Sequence, residues 1–152
     1  MSAAKLKILF LCTGNSCRSQ MAEGWARALR PDALEAYSAG VEPKGLHPLA
    51  VRAMAEAGVD ISGHRSKDVN ELLDAGIDVV VTVCDHAHES CPVFPRRTRV
   101  VHVGFEDPPR LAERATSEEE AMVHFRRVRD EIRAFVAGLP GNLPAVGSPP
   151  GA

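Results

Sequence analysis

The chain has 152 residues, of which 45% are hydrophobic and 25% charged, with a formal net charge of -2. That size suits one domain around one core. The charge balance argues against nucleic-acid binding, which needs a basic excess or stripe, and no apolar stretch approaches the length of a membrane span.

The opening apolar run, Ile8-Leu9-Phe10-Leu11, is too short for a signal-peptide core, and no small-residue cleavage site follows. A cytoplasmic protein is expected, with Lys5–Leu11 as a first buried strand. Gly14 and Asn15 break the pattern. Met21, Ala22, Trp25, Ala28 and Leu29 then recur at helical spacing from about Cys17, and Pro31 ends that helix. Leu34–Tyr37 reads as a short strand closed by Ser38-Ala39-Gly40. Pro48–Ala57 is helical, with Gly58 as its stop, and Asp68–Asp74 is a shorter helix stopped by Gly76. Ile77–Val83 is a continuous apolar run, as expected of a strand covered on both faces. Arg99–Val103 is a fourth strand. Ser117 and Glu120 have capping-box spacing and open a helix to about Val136, with Met122, Phe125, Val128, Ile132 and Phe135 on one face. From Leu139 on, Pro and Gly dominate, so residues 139–152 are expected to be a disordered tail after a single domain over residues 5–138.

Strands alternating with helices imply an α/β fold: a three-layer domain whose parallel sheet is flanked by helices. Four strands in the order 2-1-3-4 set strands one and three side by side. Ligands of such sheets sit beyond the carboxyl ends of the strands, at the switch point. Cys12, Ser38, Cys84 and the Phe105-Glu106-Asp107 turn all fall at those ends.

Cys12-Thr13-Gly14-Asn15-Ser16-Cys17-Arg18-Ser19 joins strand one to helix one. A loop entering a helix can aim successive backbone N–H groups at one centre, and the helix dipole adds positive potential. Gly14 lets the backbone curl. The planar fork of Arg18 matches two oxygens of a tetrahedral oxyanion. The same field favours the thiolate of Cys12, the nucleophilic form, and Ser19 can donate a hydrogen bond to it. No Gly-Lys-Ser/Thr ends the turn, so it is not a Walker loop. The plain alternative is a buried cysteine followed by a capping serine. Cysteine and arginine flanking a glycine-bearing loop at a strand-to-helix junction favour the anion site, with Thr13, Gly14, Asn15, Ser16, Cys17, Arg18 and Ser19 around the oxyanion.

Cys12 to Arg18, continued by Ser19-Gln20-Met21-Ala22-Glu23-Gly24-Trp25, resembles the low-molecular-weight protein tyrosine phosphatase family, and more narrowly its thioredoxin-coupled arsenate reductase branch. The resemblance runs from about Lys7 to Gly138. It implies that Cys12 attacks the central atom of a bound oxyanion. Taken alone, Phe105-Glu106-Asp107-Pro108-Pro109 would be a solvated acidic turn. The resemblance makes Asp107 the general acid that protonates the leaving oxygen. Phosphatases of the group usually carry an aromatic after Asp-Pro. Here Pro109 stands there and Tyr37 is the only tyrosine, which favours a small inorganic anion.

Cys84-Asp85-His86-Ala87-His88-Glu89-Ser90-Cys91-Pro92 follows strand three and matches the arsenate reductase pattern at both cysteines and at Pro92. The resemblance implies that Cys84 displaces arsenite from a Cys12–arsenic adduct and that Cys91 then takes over the disulfide. If Asp85–Cys91 is helical, Cys84 and Cys91 lie roughly 10 Å apart along the axis, whereas a disulfide needs Cα atoms within roughly 7 Å. The segment must then unwind on oxidation. The alternative is a zinc set of Cys84, His86, His88 and Cys91, although the spacing is not a usual knuckle. His86 and His88 are otherwise expected as exposed helix residues, and Cys17 as a bystander or a protective partner of Cys12. Some family members bind potassium. Asn15, Glu23 and Ser38 match that site, but basic Arg65 and Lys67 stand where those members carry Thr and Asp, so a basic side chain is a candidate replacement for the ion.

The expectation is an enzyme reducing arsenate to arsenite, with Cys12, Arg18, Cys84, Cys91 and Asp107 as catalytic residues, thioredoxin as reductant, a weak phosphatase side activity, no cofactor, no bound metal and a monomeric state. The rivals are a low-molecular-weight phosphatase, which leaves Cys84 and Cys91 idle, and an arsenite- or metal-responsive binding protein.

Overall fold

The computed structural model describes residues 4–95 and 97–143. Four parallel strands form one sheet in the order β2-β1-β3-β4, with β1 Leu6–Cys12, β2 Leu34–Gly40, β3 Val79–Thr82 and β4 Arg99–His102. This is the expected α/β architecture and strand order. Central β1 explains its own sequence: Ile8, Leu9, Phe10 and Leu11 are all fully buried, because helices cover both faces of a parallel sheet. Each such side chain contributes about 1.5–3 kcal/mol through burial. Register places Cys12 opposite Gly40 and Leu11 opposite Thr82, so the chemistry-bearing residues gather at one end of the sheet.

Helices α1 (Arg18–Leu29), α2 (Pro48–Glu56), α3 (Asp85–Glu89), α4 (Pro108–Leu111) and α5 (Glu118–Ala137) complete the layers. The apolar stripe of α5 buries Met122, Phe125, Val128, Ile132 and Val136, while Phe135 lies at its edge against Phe105, with ring centroids 6.0 Å apart. The expected capping box of α5 is only half made. Ser117 Oγ accepts from Glu120 N at 3.1 Å, but the Glu120 carboxylate turns to Thr116, accepting from Oγ1 at 2.8 Å and N at 3.3 Å. A complete box caps the segment expected as a helix over Asp68–Asp74, which is only a 3-10 turn, Val69–Leu72.

The expected tail starts too early. Leu139 is fully buried, its N bonds to Val136 O, and its carbonyl accepts from Arg30 Nε at 2.8 Å. Residues 144–152 of that expected tail lie outside the described residues. Among the described residues, no helix is long and apolar enough to cross a membrane.

Candidate active site

The loop between β1 and α1 turns its carbonyls outward. Val41 N donates to Cys12 O, Glu42 N to Thr13 O, Lys44 N and Ser66 Oγ to Gly14 O, Gln20 Nε2 to Asn15 O, and His47 N to Ser16 O. A loop whose oxygens are satisfied from outside presents its amides inward, which makes an anion cradle. Asn15 N already points at Cys12 Sγ, at 3.2 Å.

The residue that makes the curl possible is Asn15, with φ +48°, and not Gly14. Asn tolerates the left-handed region better than other side-chain-bearing residues. Here its amide is locked as well: Oδ1 accepts from Gln20 Nε2 at 3.0 Å and Lys67 N at 2.9 Å, and Nδ2 donates to Ser19 Oγ at 2.8 Å. Gln20 is wholly buried and also donates to Arg65 O. Gly40 is required from the other side, because a Cβ there would lie 2.7 Å from Thr13 O and 2.9 Å from Asn15 N.

Cys12 is buried, with Ser19 Oγ 2.8 Å from its sulfur. Because Ser19 Oγ accepts from Asn15, its own proton is free to point at Cys12, as expected. Arg18 stands over the loop, with Nη1 donating to Phe105 O at 2.8 Å and Nη2 lying 3.6 Å from Asp107 Oδ1. Asp107 precedes α4 without capping it, so its carboxyl is held over the cradle by Arg18 and not by its own helix. A cleft of about 490 Å³ over the loop is lined by Cys12, Arg18, Lys44, His47, Asp107 and Pro109. Lys44 and His47 were not legible as site residues. His47 Nδ1 accepts from Leu49 N at 3.1 Å, so a neutral ring carries its proton on Nε2. Burial pushes the His47 pKa down, opposed by Asp107.

Cys84 meets the anion loop directly, with Thr13 Oγ1 3.2 Å from its sulfur. It is also the N-cap of α3, accepting from Ala87 N at 3.4 Å. A second cleft, about 610 Å³, joins Thr13, Arg18 and Asp107 to Cys84, Asp85 and His86. Cys91 lies two residues beyond α3, half-buried, and its thiol donates to Pro92 O at 3.6 Å. Burial pushes the Cys91 thiol up. Burial first, then the neighbouring Cys12, raises the Cys17 thiol far above its ordinary value, so it is a poor nucleophile.

One expectation is corrected here and another is narrowed. His88 is not an exposed helix residue, since its Nδ1 lies 3.1 Å from Thr82 Oγ1, beneath α3. Its ring is committed to Thr82, and among the described residues no group of three metal-ligating side chains forms, so nothing here supports the zinc alternative. Arg65 does not point inward either, but pairs with Glu71 on the surface at 2.8 Å. Lys67 does point inward. Its ammonium lies 3.9 Å from Glu23 Oε1, beside the Ser38 hydroxyl that donates to the same oxygen at 2.7 Å. Arg27 at 3.1 Å and His64 at 3.6 Å complete the ring around this buried carboxylate. A resident ammonium leaves these residues a poor fit for potassium. Burial holds the Lys67 pKa down, with Glu23 opposing.

Residues 7–145 match the family described as low molecular weight phosphotyrosine protein phosphatase. The chain is 50% identical over 128 residues to an arsenate reductase of Halalkalibacterium halodurans, covering 84% of this chain and 90% of that protein. It is 50% identical over 125 residues to an arsenate reductase of Bacillus subtilis, covering 82% and 88%. Among solved structures, an arsenate reductase in the phosphate-binding state superposes with a TM-score of 0.71 at 30% identity, covering 91% of this chain and 99% of that one.

Proposed function

The chain belongs to the low molecular weight phosphotyrosine protein phosphatase family, on its arsenate reductase side, and we propose that it reduces arsenate to arsenite through a relay of three thiols regenerated by thioredoxin. The observation that carries the relay is the second thiol at the rim: Cys84, 3.2 Å from Thr13 of the loop that opens at Cys12. Phosphoryl transfer needs one cysteine and water, and has no use for Cys84 there.

In this mechanism arsenate sits in the cradle under Arg18, and the Cys12 thiolate forms a bond to arsenic. Asp107 protonates a leaving oxygen, which departs as water. The Cys84 thiolate then attacks Cys12 Sγ. The electron pair of the sulfur–arsenic bond passes to arsenic, As(V) becomes As(III), arsenite leaves, and a Cys12–Cys84 disulfide remains. Cys91 attacks Cys84 Sγ and returns Cys12 as a thiolate. The dithiol of thioredoxin supplies two electrons and two protons to the Cys84–Cys91 disulfide. A cytoplasmic setting, where thiols are kept reduced, suits this cycle.

The complete set of Cys12, Arg18 and Asp107 also supports a weak phosphatase side activity. Steady-state assays with arsenate and with p-nitrophenyl phosphate, each with and without a thioredoxin system, test the reading. Cys12→Ser is expected to lose both activities. Cys84→Ser and Cys91→Ser are expected to lose multiple-turnover arsenate reduction and keep phosphatase activity. Full thioredoxin-coupled turnover in either shuttle variant would remove the relay.

A further inference from the structure

Beneath α3 lies a polar cluster that the relay chemistry does not use. Thr82, the last residue of β3, is completely buried. Its Oγ1 is 2.8 Å from His102 Nδ1, at the end of β4, and 3.1 Å from His88 Nδ1, in α3. The two imidazoles lie against each other with centroids 4.8 Å apart. His102 Nε2 is 3.0 Å from Asp85 Oδ1, in the first turn of α3.

The donors can be assigned. A carboxylate only accepts, so His102 carries a proton on Nε2, and Nδ1 of the neutral ring is a lone pair. The single proton of Thr82 goes to that lone pair in preference to Val101 O, which is farther at 3.3 Å. The oxygen of Thr82 then accepts the Nδ1–H of His88. The chain runs His88 to Thr82 to His102 to Asp85, every group served in one direction. Thr82 and His102 sit on the sheet. His88 and Asp85 sit on the short helix between Cys84 and Cys91.

That helix is an obstacle to the disulfide. Cys84 Sγ faces Thr13 and the amide of Ala87, while Cys91 Sγ faces Pro92 O. Helical bonding runs from His88 N to Cys84 O and from Ser90 N to His86 O, so the chain rises roughly 9 Å from Cys84 to Ser90 before Cys91 is reached past the helix end. Joining the sulfurs requires α3 to come apart, and His88 to leave Thr82.

Resting on the relay reading above, we infer that Thr82, His88 and His102 form a latch that holds the segment between Cys84 and Cys91 in its thiol form and so sets how readily that pair is oxidised. They are positioning residues, since none touches substrate. The link from His88 to buried Thr82 carries most of the effect. The Asp85 contact carries less, because that side chain is 92% exposed. Stabilising the dithiol makes the Cys84–Cys91 disulfide a stronger oxidant and easier for an external dithiol to reduce.

The test is a redox titration of the full chain carrying Cys12→Ser, which isolates Cys84 and Cys91; Cys17 is buried. Mixtures of oxidised and reduced glutathione are the probe. The two thiols lose two electrons and two protons, and one oxidised glutathione takes them to become two reduced molecules. The disulfide fraction is read by thiol trapping and mass spectrometry. A net hydrogen bond of this kind is worth about two- to tenfold in an equilibrium. Thr82→Val and His88→Ala are each expected to shift the midpoint toward the disulfide by about that factor. The double variant should shift no further than either single one, because both remove the same bond. His88→Asn, which keeps an N–H, should restore most of the parent midpoint. Unchanged midpoints in both single variants, or strictly additive shifts, would overturn the latch while leaving the relay intact. A parent that forms no Cys84–Cys91 disulfide in any mixture would remove the relay reading and the latch with it.

Discussion

At the scale of single residues, the anion cradle depends on one left-handed residue and one close approach. Asn15 adopts φ +48° and is held there by Gln20, Lys67 N and Ser19. Gly40 passes so near Thr13 and Asn15 that an added Cβ would press on backbone, which cannot swing away as a side chain can. Gly40→Ala is expected to lower arsenate reduction and p-nitrophenyl phosphate hydrolysis together by tenfold or more, and to cost about 1–3 kcal/mol of stability, read by assay and urea denaturation. Unimpaired activity would show that the loop tolerates displacement. The cysteine–arginine spacing made Cys12, Arg18 and the loop legible. The residue taking the strain was not, because Gly14 looked like the obvious hinge. Gln20 was hidden too: a glutamine in a helix gives no sign that its amide is buried beneath a loop.

Lys67 is a second residue-scale case. The sequence showed two basic residues opposite Glu23, but only the structure separates Lys67, 3.9 Å from Glu23, from Arg65, which faces Glu71. With an ammonium in place, exchanging sodium for potassium at constant ionic strength should change arsenate reduction little. The constant ionic strength matters because screening alone alters oxyanion binding. Lys67→Asp should introduce a potassium-specific activation, and Arg65→Thr should not. Strong potassium activation of the unaltered protein would contradict this account.

At the scale of elements, α3 is where reactivity and local fold meet. Its cysteines differ in environment: Cys84 caps the helix against Thr13, while Cys91 lies past its end, half-buried. Burial raises the Cys91 thiol, so only a small share is thiolate near neutrality, and that share grows as pH rises toward the raised value. Thioredoxin-coupled turnover should therefore climb from about pH 7 to pH 9 whenever the Cys91 attack limits the rate. Hydrolysis of p-nitrophenyl phosphate, which bypasses Cys91, should lack that climb. Parallel profiles for both reactions would show that Cys91 does not limit the relay. The position of α3 at the rim was legible from the strand before it. The inward turn of His88 was not, since alternate histidines in a short polar segment look like solvent residues until the buried hydroxyl of Thr82 is placed beneath them.

At the scale of the whole molecule, the parallel sheet followed from the alternation of strands and helices, and, with the order 2-1-3-4, the gathering of Cys12, Cys84 and Asp107 at one rim followed from the switch-point rule. Central strands announce themselves by continuous apolar runs, as β1 and β3 do. The end of the domain was misjudged because Pro and Gly dominate the composition after Leu139, and composition does not reveal a single buried side chain. Leu139 seats in the core and its carbonyl takes the Arg30 guanidinium, tying the end of α5 to the end of α1. Leu139→Ala should cost about 2–5 kcal/mol in urea denaturation, with the active-site chemistry of the folded fraction unchanged. A cost near zero would mean that the segment contributes nothing to the core.

The central claim is that three thiols pass one oxidation outward in a fixed order. Its most direct measurement is a single turnover: reduced protein mixed with excess arsenate and no reductant, quenched by alkylation, with arsenite counted and disulfides mapped by peptide mass spectrometry. One arsenite per chain, a Cys84–Cys91 disulfide and an alkylated Cys12 are expected. In Cys91→Ser a trapped Cys12–Cys84 disulfide is expected. Arsenite formed with Cys84 and Cys91 both still reduced would contradict the relay.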